Sequence, residues 1–326
     1  MLRKSLLCGA ALLLSACEPA DDAESFREGL PSRDTVAVNT PGVSSAGSVQ
    51  TLATEGQVSD LYRLTRNASA VVNGGTVFVL SMLENITDHA PTSIDGDTAV
   101  WGPHTGALAR NTWKLSVTRT GDHTYEYALE GKDKSADDSA YVTVLSGTHT
   151  AAVNASGERR KHFGSGGFTV NWDNASTLPE RDGQLGTGVF TYSREAADAQ
   201  ASVTVKFTQV RDDNHPGERV DADYSYKATP GEGGEFTFGV DQNMDANPEL
   251  ERLTIKSRWV QGGAGRSDVK LGGGDLGAGA FTVSECWDTD FISRYYDAEF
   301  PGAPASYGVE SEDCVFTGAS YALAQN

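Results

Sequence analysis

Residues 111–129 read NTWKLSVTRTGDHTYEYAL. Trp113, Leu115 and Val117 alternate with Lys114, Ser116 and Thr118. After a turn at Gly121-Asp122, Tyr125, Tyr127 and Leu129 alternate with Glu126 and Ala128. A period of two puts every second side chain on one face, so the stretch is two strands with one buried face and a tight turn between them. The same alternation returns at Tyr141–Leu145, Phe168–Trp172, Phe190–Tyr192, Val203–Phe207, Ala222–Tyr226, Phe236–Val240, Leu253–Trp259, Val269–Leu271 and Phe281–Val283. From Trp101 onward this makes about eleven or twelve short strands, separated by Gly, Asp, Asn and Pro. No helical pattern lies between them, so they join as sequential antiparallel hairpins and not as parallel crossovers.

The triplet Phe-Thr-apolar recurs at 168, 190, 236 and 281. The gaps of 22, 46 and 45 residues suggest a unit of 22 to 23, the length of a strand pair. That unit would set the four phenylalanines on like-directed strands. Ahead of the strands, Leu61, Leu64, Ala68 and Val71 fall at helical spacing with Ser59 as an N-cap. Asn73-Gly74-Gly75 predicts an interruption. A second helix over Val79, Met82, Leu83 and Ile86 follows, with a strand over Thr76–Leu80 as the competing reading. A long meander with one apolar face needs a cover. The expected fold is mainly β (α+β). Its long antiparallel meander forms a curved sheet or incomplete barrel, with the helical segment 57–88 packed on its concave side.

The first seventeen residues, MLRKSLLCGAALLLSAC, have Arg3 and Lys4 before a short apolar run and end in Leu14-Ser15-Ala16-Cys17. Here the sequence resembles bacterial lipoprotein precursors. The resemblance implies a signal peptide over 1–16, cleavage before Cys17 and acyl chains on its thiol. It makes the membrane a partner through the anchor, and Glu18 in place of an aspartate points to the outer membrane. Several acyl chains, at about 0.8 kcal/mol per buried methylene, hold a protein on a bilayer almost permanently. Cys8 would leave with the signal, so Cys286 and Cys314 remain as the expected disulfide of an oxidising compartment. Its loop of about 27 residues is worth roughly 3 kcal/mol. The aromatics of that loop either pack it onto the domain or form a recognition surface.

Residues 17–55 are polar, rich in Ser, Thr, Pro and Asp, and lack periodicity. They read as a flexible acidic tether, with Val36 and Val38 as a short edge strand, ahead of a single domain over 56–326. The formal charge of −19 becomes −21 once Arg3 and Lys4 are removed. This argues against nucleic acid and against electrostatic docking on anionic lipid.

The clearest chemical spacing is DQNMDANPELERL at 241–253. Its flanks read as strands, and Ala246 and Arg252 stand where an EF-hand needs Gly and Glu. Asp241, Asn243, Asp245, Glu249 and Leu250 resemble the calcium loops of integrin-type β-propeller repeats, which run between strands. The departures are Ala246 for glycine, glutamate in place of aspartate at the ninth position, and a single copy. The resemblance implies a structural Ca²⁺ held by Asp241, Asn243, Asp245 and Glu249. Asp, Asn and Pro are also turn residues, so the stretch reads first as a hairpin turn, with the calcium loop as the alternative. The histidines at 89, 104, 123, 149, 162 and 215 are scattered, and no GxSxG or HExxH motif occurs. The functional expectation is a lipid-anchored envelope protein, non-catalytic, with a structural or binding role towards an envelope protein. The alternatives are a half-barrel carrier of an apolar ligand, and an envelope hydrolase whose site is not visible in sequence.

Overall fold

The computed structural model describes residues 19–42, 54–181, 183–212, 217–243, 249–274, 276 and 280–322. Fourteen strands follow one another: β1 (Ser93–Asp95), β2 (Thr98–His104), β3 (Asn111–Gly121), β4 (Thr124–Asp133), β5 (Val142–Val153), β6 (Arg159–Asn171), β7 (Thr187–Arg194), β8 (Ala201–Arg211), β9 (Arg219–Thr229), β10 (Gly233–Gln242), β11 (Glu251–Val260), β12 (Gly265–Gly273), β13 (Phe281–Trp287) and β14 (Ser293–Glu299). Their order in the sheet is their order in the chain, every neighbour is antiparallel, and β1 and β14 do not meet. Strand β14 lies inside the disulfide loop, where no alternation announced it.

Register shifts at bulges in six of the strand pairs, yet continuous rows still cross the sheet. One inward row runs Ala99, Val117, Tyr127, Gly147, Phe168, Phe190, Val205, Tyr224, Phe238, Ile255, Val269 and Val283. Gly147 interrupts this aromatic row because the Tyr127 hydroxyl leans over it. A Cβ there would stand 2.7 Å from that oxygen. Phe168 and Phe190 are direct partners on adjacent antiparallel strands, with rings stacked at 4.4 Å. The Phe-Thr-apolar triplets therefore do not sit on like-directed strands. The first gap spans one strand step and the next two span three each, so the spacing reflects uniform strand length and not a strand-pair repeat.

The inward face is covered by the N-terminal part of the chain. Helix α1 (Pro19–Arg27), α2 (Arg33–Val36) and the extended residues after them bury Phe26, Leu30, Val36 and Val38. Residues 19–42 are thus folded onto the sheet, which corrects the tether reading over that span. Four apolar side chains suffice to dock a polar segment where a large apolar face needs covering. Val36 and Val38 form no edge strand; residues 43–53 and Cys17 lie outside the described residues.

Helix α3 (Asp60–Thr87) is continuous through Asn73-Gly74-Gly75. The interruption expected there does not occur, nor does the strand over Thr76–Leu80. Two glycines cost a helix about 1 kcal/mol each relative to alanine. Tertiary contacts offset this: the Asn73 side chain accepts from Val38 N–H at 2.9 Å and donates to Val38 C=O at 2.7 Å. Val79, Leu80 and Leu83 join Phe26, Val36, Leu115 and Leu129 in one core.

The helix lies across the strands. Near its start Leu61 N–H meets Glu285 of β13, and just past its end the Trp101 indole of β2 donates to His89 C=O. Eleven strand steps of ~4.8 Å make an arc of about 53 Å, whereas 28 residues of helix reach about 42 Å. The sheet therefore curves around α3, as an open trough.

Candidate functional site

The outer face of β11–β13 is sealed by the chain after β14. This strap (300–322) carries α5 (Glu310–Asp313) and is bonded to β13 through Cys286–Cys314, with Cα atoms 5.4 Å apart. The expected disulfide is present. Beneath it Asp268, fully buried, accepts from Arg266 Nε at 2.7 Å, Ser284 Oγ at 2.7 Å, Arg258 Nη2 at 3.1 Å and Ser320 N–H at 3.0 Å. Arg266 also binds the Glu310 carboxylate and donates to Phe316 C=O. That hydrogen bond holds the Glu310 pKa below the usual carboxylate range. The Phe316 ring lies 5.0 Å from the Arg258 guanidinium. Sequence reasoning missed this network, because Arg258 and Arg266 look like any solvated strand residues. Three aromatics of the loop pack inward, with Trp287 and Tyr296 buried and Phe291 stacked on Tyr62 of α3 at 4.3 Å, while the Tyr295 ring lies 5.8 Å from the Arg266 guanidinium on the outer side.

On the inner side of the same strands the core turns polar. Ser257 bridges Thr65 of α3 and Ser267 at 2.6 and 2.9 Å. Glu285 accepts from Leu61 N–H at 2.8 Å, while the Ser59 hydroxyl accepts from Tyr62 N–H. A strand carboxylate thus completes the cap of a helix 224 residues away, where the helix dipole favours negative charge. Burial pushes the Glu285 pKa up, opposed by hydrogen bonds from Ser293, Leu61 and Ser59.

His149 is the one deeply buried histidine among the described residues. Its Nδ1 lies 2.9 Å from the Tyr192 hydroxyl, and burial brings its pKa down to about 4. Its neighbours are tyrosines and glycine backbone, the setting of a neutral core imidazole.

The strands that flank the 241–249 segment, β10 and β11, pair antiparallel up to Gln242 and Glu251, and residues 244–248 between them lie outside the described residues. Asp241 is not an unpaired ligand: it accepts from Arg252 Nη1 at 2.8 Å, and Arg252 also binds Asp223. Glu249 is exposed, Asn243 follows directly after β10, and Asp245 lies outside the described residues. Among the described residues no three His, Cys, Asp or Glu side chains gather at metal-binding range. A calcium ion at this loop would have to draw Asp241 away from Arg252. Calorimetric titration of calcium should then give weak, millimolar binding that Asp241→Ala abolishes and Arg252→Gln strengthens. No heat in any of the three proteins would leave a hairpin turn.

Among the described residues three clefts stand out. A groove of about 610 Å³ runs over the outer face of β3–β7. Thr118, Glu126, Thr148, Gly167 and Thr191 form one in-register row of it, and Ser116, Ala128, Ser146 and Thr169 the next. A crevice of about 550 Å³ lies between Pro41, Tyr226, Trp259 and Phe291, and one of about 420 Å³ between Arg110, Leu178 and Arg181. Compared with protein-family models and with curated proteins, the chain matches none.

Proposed function

We propose that the protein is a lipid-anchored envelope protein that binds rather than catalyses. The outer groove of β3–β7 is the face it offers to a neutral, polyhydroxylated partner such as a glycan chain. The observation that carries this is the in-register hydroxyl array of Thr118, Thr148 and Thr191 beside Ser116, Ser146 and Thr169. Each hydroxyl both donates and accepts, as a sugar hydroxyl does, so the two can pair without charge. Thr118, Thr148 and Thr191 stand on every second strand, about 9.6 Å apart across the sheet and about 6.7 Å along a strand from the next row, on a sheet already ordered before binding. The strong negative charge disfavours anionic polymers. Anchoring rests on the Leu14–Cys17 lipobox. Cys17→Ala should move the protein from the membrane fraction to the soluble one. For the groove, calorimetry with an N-acetylglucosamine hexamer should give saturable binding, at least ten-fold weaker in Thr148→Lys/Thr191→Lys. No binding by the native protein, or equal binding by the variant, ends the glycan reading.

The carrier reading is favoured by a different observation. Phe207, Val240, Leu253 and Leu271 are only half-buried and Phe281 is 37% exposed, along one inward row of β8 to β13. An apolar row left partly uncovered in this way is a natural seat for an acyl chain. Palmitate should displace the fluorescent probe N-phenylnaphthylamine from the native protein and not from Leu253→Asp. If the native protein takes up no probe, the row is the fringe of the core and the carrier reading fails.

A further inference from the structure

Two arginines stand side by side on the outer face, Arg258 on β11 and Arg266 on β12, as direct register partners. In a chain of formal charge −19, a paired guanidinium site is unusual for an outer face. Asp268 of β12 takes one hydrogen bond from each arginine, and their other donors turn to the strap. The strap places the Glu310 carboxylate on Arg266, carbonyls of Phe316 and Gly318 on Arg266 and Arg258, and the Phe316 ring beside Arg258. This is how a pair of arginines recognises an acidic peptide: one carboxylate, backbone acceptors and a stacked ring. Among the described residues Arg258 Nε–H is buried and has no acceptor, so the site has a spare donor even when closed.

The strap is held unevenly. Tyr307 exchanges backbone hydrogen bonds with Tyr296 of β14, whereas beyond it Val309 and Val315 are 51% and 50% exposed and add little by burial. The covalent bond to Cys286 is what keeps it at high local concentration over the arginines.

We infer that the strap is a disulfide-held internal ligand, and that reduction of Cys286–Cys314 opens the Arg258–Arg266 face to an acidic peptide. The opening step is thiol–disulfide exchange with a dithiol reductant. One reductant thiolate attacks a sulfur of the Cys286–Cys314 bond, and the mixed disulfide is resolved by the second thiol. Two electrons and two protons pass to the protein as two cysteine thiols, and the reductant leaves as its own disulfide. The strap then competes with peptides in solution.

The experiment uses the full chain, oxidised and after dithiothreitol. Hydrogen exchange should speed at least ten-fold over 306–321 on reduction, with β3–β9 unchanged. A fluorescent peptide of residues 308–320 carrying Cys314→Ser should bind the reduced protein saturably, and the oxidised protein at least ten-fold more weakly. Arg266→Gln should weaken that binding at least ten-fold. Because this variant disturbs a buried charge, Glu310→Gln provides an independent check: it weakens only the internal competitor, so the peptide should bind its reduced form more tightly than reduced wild type. The inference is overturned if 306–321 stays protected after reduction, or if β10–β14 loses protection with it. It is equally overturned if the peptide binds neither form or both alike, or if Glu310→Gln leaves peptide affinity unchanged.

Discussion

Asp268→Ala should cost about 3–5 kcal/mol of unfolding free energy, the range for breaking a buried ion pair by removing one partner. Asp268 is fully buried and receives four hydrogen bonds, from Arg266, Arg258, Ser284 and Ser320. Without it Arg266, 1% exposed, keeps only Glu310 and a carbonyl, and the Arg258 guanidinium loses its carboxylate. Asp268→Asn keeps the shape and should recover part of the loss, since an amide still accepts one of those donors. Denaturant unfolding of the three proteins at one pH measures this. A loss below about 1 kcal/mol for Asp268→Ala, the scale of an exposed pair, would mean that water reaches the arginines under the strap.

Acidification should destabilise the protein through His149. Its folded pKa is about 4 against an ordinary value of 6.5. Between those values the unfolded chain holds a proton that the folded chain does not, so unfolding takes up a proton and stability falls as pH falls. The window opens near pH 6.5, and the loss is complete below the folded value, at about 3 kcal/mol for a shift of this size. Glu285 works in the opposite sense. Its pKa is raised by burial, so its contribution is full below the ordinary glutamate value and declines as pH rises through the folded one. Denaturant midpoints from pH 7 to pH 4 should fall in the native protein and flatten over that range in His149→Asn. An identical slope in both would place the acid sensitivity elsewhere.

The meander was legible because alternation is a local signal: Trp113, Leu115 and Val117 declare their face without reference to anything distant. The same holds for the Ser59 cap and for the apolar faces of α3. What stayed illegible depends on partners far apart in the chain. Asn73-Gly74-Gly75 reads as a break until Val38 is seen bonded to Asn73. Residues 19–42 read as a tether because Phe26, Leu30, Val36 and Val38 are too sparse to show a period. Arg258, Arg266 and Glu310 carry no spacing signal, since the strap that unites them returns from outside the alternation. The disulfide was the exception: once the lipoprotein resemblance had assigned Cys8 and Cys17, only Cys286 and Cys314 remained to pair. For the candidate calcium loop the spacing was informative about the hairpin and silent about Arg252, which holds Asp241 from the opposite strand.

Because α3 meets β13 near its start and its end abuts β2, its length acts as a ruler for the sheet. Eleven strand steps share 28 helical residues, about two to three residues of helix per strand. A meander by itself sets no limit on strand number, since each strand touches only its neighbours. Here a lineage that gained or lost one hairpin would have to lengthen or shorten the helix by about five residues, or else change the curvature of the trough. Strand count and helix length are therefore expected to vary together.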